Sequence, residues 1–162
     1  MAAVITRIDE MKVVQLFRGM NDAEISEIAG LCKERSFNIG EFAQKEGENS
    51  NQVNFILKGR VGTVVRIPNI NYTSSEIMLD TLTAGDSFGW SSLIKGTPWS
   101  TLKAIEPTTV MYANADDLLK LCERHHHIGF LLMRNLASLI SSRLRRNRMS
   151  TLNALVAIKG EA

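Results

Sequence analysis

Leu82-Thr83-Ala84-Gly85-Asp86-Ser87-Phe88-Gly89-Trp90 is the stretch on which the fold turns. A β-type run, Ser75 to Leu82, stops at Gly85, and a second glycine follows at Gly89. Glycine accepts positive φ at little cost, so this is a strand that must turn sharply. At Gly89 the missing side chain also lets backbone approach a ligand and leaves an amide free for an anion. Outward from this stretch the pattern repeats. Glycines recur at Gly40, Gly47, Gly59, Gly62 and Gly96. Between them lie short β-type runs at 53–57, 61–67, 101–105 and 108–112. Short strands punctuated by turn residues predict a β-sandwich, roll or barrel from about residue 36 to 113. The segment Pro68 to Thr73 reads as an exposed hairpin tip.

Helical patterns flank the roll. Asn21 or Asp22 N-caps a helix carrying Ile25, Ile28, Ala29 and Leu31. Asn114 or Asp116 caps a short helix to about Glu123, and a long one runs from about His127 to Arg148. Apolar residues cover well over half of the long helix's circumference, whereas packing on one side needs a stripe of roughly 100°. The extra face predicts contact with a second copy, and the residues assigned to it are Ile128, Leu132, Leu136, Leu139 and Ile140.

With 162 residues, 44% hydrophobic and 22% charged, the composition is that of one globular domain spanning 1–162. A net charge of +2 does not argue for nucleic acid. Cys32 and Cys122 lack metal-type spacing and predict reduced thiols. There is no signal-peptide pattern, and no apolar run approaches the roughly 20 residues of a membrane span, so the expected compartment is the cytoplasm.

In order and spacing the chain resembles the cyclic-nucleotide-binding domain, the sensor module of catabolite-activator-type regulators, kinase regulatory subunits and gated channels. Three segments carry the resemblance: Phe37 to Glu48 as the family's early strand and turn, Val53 to Val61 as its apolar strand ending in a glycine turn, and Leu82 to Trp90 as the entrance to its phosphate-binding cassette. The resemblance implies an α+β, mainly β fold: a double-stranded β-helix (a jelly-roll-like β-roll) with N-terminal helices and C-terminal helices over about 114–150. It also implies a non-enzymatic sensory module whose C-terminal helices move with ligand.

The resemblance further implies a glutamate after Phe88-Gly89, for the ribose hydroxyl, and a later arginine for the cyclic phosphate. Trp90 stands at the first position. The second falls on Trp99 counting forward from Gly89, and on Pro98 counting back from Lys103-Ala104-Ile105-Glu106. Neither is basic. A buried phosphate without a fixed counter-charge is costly, and arginine supplies a fork that tryptophan lacks. Three readings stand: the tryptophans fill the pocket as core, they line it for a flat or apolar ligand, or a nucleotide binds in an unusual mode. The altered site comprises Phe88, Gly89, Trp90, Ser91, Ser92, Pro98, Trp99, Ser100 and Thr101.

The remaining motifs predict little chemistry. His125, His126 and His127 are consecutive and point apart, unlike the i, i+4 pairs of helical metal sites. Arg143, Arg145, Arg146 and Arg148 read as a solvated helix end favoured by the helix dipole. No DNA-reading helix pair is expected after the long helix, and no catalytic constellation or cofactor is expected. The expected partners are a small-molecule or nucleotide-like ligand, a second copy and possible protein partners.

Overall fold

The computed structural model describes residues 2–48, 50–68 and 74–160; the tip expected at 68–73 lies almost wholly outside them. Two helices, α1 (Ala2–Met11) and α2 (Asp22–Leu31), precede the roll, joined through a 3-10 turn at Gln15–Phe17. Asn21 caps α2 in a reciprocal box: its side chain accepts from the Glu24 amide, and the Glu24 carboxylate accepts from the Asn21 amide.

Eight strands follow: β1 (Lys33–Phe37), β2 (Phe42–Gln44), β3 (Gln52–Lys58), β4 (Arg60–Pro68), β5 (Ser74–Thr83), β6 (Ser87–Phe88), β7 (Thr101–Ala104) and β8 (Thr108–Asn114). They form two antiparallel four-stranded sheets, ordered β1-β8-β3-β6 and β2-β7-β4-β5. In β4–β5 the register slips between Thr63↔Asp80 and Val64↔Met78, so Leu79 has no partner and is 65% exposed.

Strand alternation divides the interior in two. Phe37, Ile56, Val61, Leu82, Phe88, Leu102, Ala104 and Val110 fill the roll. On the other face of the first sheet, Val53, Phe55, Met111 and Ala113 pack against the helices. Asn114 then caps α3 (Ala115–Arg124), accepting from the Asp116 and Asp117 amides. Acidic Asp116 and Asp117 in the first turn and Arg124 in the last suit its dipole.

The long helix, α4 (His126–Gly160), runs well past Arg148. The arginines therefore lie mid-helix, and the helix-end account of them does not hold. The assignment of the spare face also changes. Ile128, Leu132, Leu136 and Leu139 are buried against this chain's own helical core, so they are not available to a second copy. Of that set only Ile140 is exposed, at 36%. The face left open carries Phe130, Met133, Ala137, Ile140 and Leu144, at alternating spacings of three and four. Sequence periodicity found a wide apolar helix but not which side met the roll.

Candidate functional site

Gly89 ends β6 at φ +75° and opens a 3-10 helix, Trp90–Ile94, that Lys95 closes at φ +53°. The Lys95 amide donates to Ser92 O and the Gly96 amide to Ser91 O, closing the C-terminal end of this turn on itself. The Ser92 amide donates to Gly89 O and is spent in the turn as well. Ser91 and Ser92 are buried. An ideal Cβ at Gly89 would lie 2.4 Å from Gln52 O and 3.2 Å from the Asn54 amide nitrogen, so the start of the cassette presses on β3.

The far end of the cassette is stitched to β2 and the turn after it. The Gly47 amide donates to Pro98 O (2.8 Å), Gln44 Nε2 to Ser100 O (2.9 Å), and the Glu46 amide to Thr101 Oγ1 (3.1 Å). Trp90 and Trp99 meet edge to face, 6.0 Å between centroids and 79° between planes. Their environments differ. Trp90 is half-buried against the helical core, whereas Trp99 is 73% exposed. Trp99 therefore does not fill the pocket as core; the roll is filled by ordinary strand positions. The expected site residues are thus brought together as one segment, with the two aromatic rings joined at its ends.

α4 reaches this segment through Arg143. Its Nη2 donates to Ser87 O at 2.9 Å, one residue before Phe88. Arg143 Nε and Ser87 Oγ are both buried without a partner. Burial pulls the Arg143 guanidinium below its ordinary value, nearby Arg146 adds to this, and Asp86 and Asp80 oppose it. Arg146 lies 3.9 Å from Asp80 on β5. The adjacent turn is also held by the N-terminal segment: the Gln15 amide donates to Gly85 O and its side chain to Asp86. Both helical flanks therefore grip the strand that leads into the cassette.

His127 does not join a metal set; among the described residues no His, Cys, Asp and Glu cluster has a metal's arrangement. Its Nδ1 instead meets the Glu24 carboxylate, tying the base of α4 to α2. That bond, then the Asn21 amide, holds the Glu24 carboxyl below its usual value. No helix among the described residues is long and apolar enough to cross a membrane.

Residue-by-residue reading of the cassette missed Arg35, Gln44, Asn54 and Arg143. The first three lie on strands outside the motif, and only pairing brings them to it. Arg143 carried a signal, a cation within an apolar helix, but was grouped with its neighbours.

The sequence pattern described as the cyclic nucleotide-binding domain matches residues 34–125. A cyclic nucleotide-binding domain from Methylobacillus flagellatus superposes with a TM-score of 0.75 at 21% identity, covering 90% of this chain and 80% of that one. The Thermus thermophilus catabolite activator protein superposes at 0.68 with 24% identity, covering 85% and 61%. At those identities the two show the fold alone. Glutaminase 1 of Bradyrhizobium diazoefficiens is 28% identical over 135 residues, 83% of this chain; the chain spans only 21% of that relative's length.

Proposed function

The chain belongs to the cyclic nucleotide-binding domain family, and from that premise we propose that it is a non-enzymatic regulatory module whose cassette does not take cyclic AMP or cyclic GMP in the usual way. The observation that carries this is the pair of tryptophans. Trp90 and Pro98 or Trp99 stand where the family resemblance calls for a carboxylate and a guanidinium. The 3-10 turn meanwhile uses the Ser92, Lys95 and Gly96 amides internally. An anion placed there would lack a fixed counter-charge, which costs several kcal/mol in a desolvated site. The exposed Trp99 face supports a ligand with a flat apolar part, or a protein partner, as the occupant.

The regulatory movement belongs to α4. Its hold on β6 through Arg143 leaves two buried polar atoms unpartnered, each an unfavourable contribution of about 1–3 kcal/mol. A ligand that favours a different seat for α4 acts on a contact that is already weak, which is the differential affinity that coupling requires. The exposed stripe from Phe130 to Leu144 supports a homodimer through α4, with the whole chain acting as one unit in the cytoplasm.

Calorimetric titration with cyclic AMP and cyclic GMP tests the cassette. No binding at micromolar concentration is expected; micromolar affinity overturns the reading. The double substitution Trp90→Glu with Trp99→Arg is expected to gain affinity.

A further inference from the structure

A cavity of about 240 Å³ lies at the open end of the roll, between β2 and the strands β1 and β3. Its walls include Arg35, Phe42, Lys45, Glu48, Gln52 and Asn54. These residues reach both ends of the cassette. Gln52 and Asn54 are the residues against which Gly89 presses. Gln44, also on the wall, holds Ser100 at the other end. The walls are therefore chemically distinct from the cassette but mechanically joined to it.

The cavity also holds what the cassette has lost. Arg35 faces the roll side of the first sheet, since it pairs with Val110, which in turn pairs with Ile56. The guanidinium stacks 4.2 Å from the Tyr112 ring centroid and donates from Nη2 to Gln52 Oε1 at 2.8 Å. Stacked and tethered in this way, it is a preorganised cation rather than a mobile surface charge. Lys45 adds a second cation, partly balanced by Glu48 at 3.7 Å. Asn54 is 4% exposed, and its Oδ1 is buried with no partner. A buried amide oxygen without a donor is uncommon and calls for a reason. Phe42, 39% exposed, offers an aromatic wall beside these polar groups.

The geometry points to a second ligand site, here, for a small oxyanion that carries a flat apolar group. Arg35 binds the oxyanion, Asn54 Oδ1 accepts from a hydroxyl or amino donor on the ligand, and Phe42 contacts the flat part. This size and mix of walls is at the small end of ordinary ligand sites. The site stands on its own geometry. Only its link to the cassette rests on the regulatory reading above, through Gly89 and Ser100.

The probes are phenyl phosphate and benzoate, which separate phosphate from carboxylate recognition, with inorganic phosphate testing the need for the flat group. Calorimetry is expected to show binding of phenyl phosphate or benzoate, stronger than that of inorganic phosphate. Arg35→Met is expected to weaken it at least about tenfold, since a forked, charge-assisted contact is lost. Arg35→Lys, which keeps charge without the fork, is expected to fall between. Arg124→Met, at the end of α3 and outside the cavity walls, is expected to leave affinity within about twofold. Tryptophan emission should move with the same midpoint, because both tryptophans lie in the cassette. Thermal melts confirm that each variant is folded, and if Arg35→Met is not, Arg35→Lys carries the test. The proposal is overturned if neither aromatic probe binds up to about 10 mM, if the Arg35 variants bind as the parent does, or if Arg124→Met weakens binding equally. Micromolar cyclic AMP binding that Arg35→Met leaves intact would sink the cassette reading and leave this site standing.

Discussion

Gly89→Ala separates the two physical demands that meet at the cassette entrance. Gly89 sits at φ +75°, and Gly40 sits at φ +87°. An L-residue in this region costs roughly 1–2 kcal/mol, so conformation alone predicts similar losses at both. Alanine also restricts the unfolded chain, which returns about 0.4–1 kcal/mol at either site. Space distinguishes them. At Gly40 a Cβ meets nothing within 4 Å, whereas at Gly89 it would lie 2.4 Å from Gln52 O. That oxygen belongs to β3, which is paired with β8 and β6, so it cannot yield without moving the sheet. Forcing an atom into such a place costs typically 1–3 kcal/mol. Gly40→Ala should therefore lose about 1 kcal/mol or less, and Gly89→Ala about 2–4 kcal/mol. Urea unfolding followed by far-ultraviolet circular dichroism measures both. Tryptophan emission of the folded variants adds a local reading: Gly89→Ala should shift it through Trp90, and Gly40→Ala should not. Equal losses at the two glycines would refute the reasoning, because they would mean that the close approach to β3 carries no weight.

Other outcomes follow from the same contacts. α4 has Arg134, Arg143, Arg145, Arg146 and Arg148 and no acidic residue between His126 and Gly160, so two copies meeting along the exposed stripe bring like charges together; dimerisation measured by sedimentation should strengthen as salt rises and screens them, and Ile140→Gln with Leu144→Gln should abolish it and remove the rise of melting temperature with protein concentration. The depressed Glu24 carboxyl contributes stability that is present above the ordinary carboxyl value of 4.5 and lost as pH falls through the lower folded value; the melting-temperature gap between parent and Glu24→Gln should be full at pH 6 and shrink steadily as pH is lowered below 4.5. Burial pushes the Cys32 thiol up to about 12, so an aromatic disulfide reagent at neutral pH should label it only at the rate of unfolding. Acrylamide should quench Trp99, at 73% exposure, far more steeply than Trp90, giving a curved plot that straightens in Trp99→Phe.

What could be read from the sequence was whatever local chemistry decides. The glycines at 59, 85 and 89 mark turns because their φ values require it, and Asn21 and Asn114 cap helices with bonds to amides two or three residues on. The cassette was legible for the same reason: its residues are contiguous. Two things were not. β1 (Lys33–Phe37) is buried only at Phe37, with Lys33 and Arg35 at the positions that alternate with it, so no apolar period announces it. The inward side of α4 was equally hidden. A helix apolar on two faces gives no local sign of which one meets the roll, and the choice came from Leu132, Leu136 and Leu139 fitting between the first helices and the sheet. Arg35 and Asn54 belong to this second class, since only strand pairing brings Arg35 to Gln52 and Asn54 to Gly89.

The positions of the cations show how this chain departs from the family arrangement. The cassette positions where the resemblance calls for an acid and a base carry none. Yet a guanidinium lies at each flank of the segment: Arg143 on β6 at its entrance, and Arg35 behind Gln52 and Asn54. Both are backed by buried polar atoms that lack partners, Ser87 Oγ and Arg143 Nε on one side and Asn54 Oδ1 on the other. A core selected for stability alone would have replaced these atoms with apolar ones, since unpartnered burial is unfavourable on each count. Among the described residues these atoms lie on α4, β6 and β3, so the unfavourable burial collects at the entrance to the cassette.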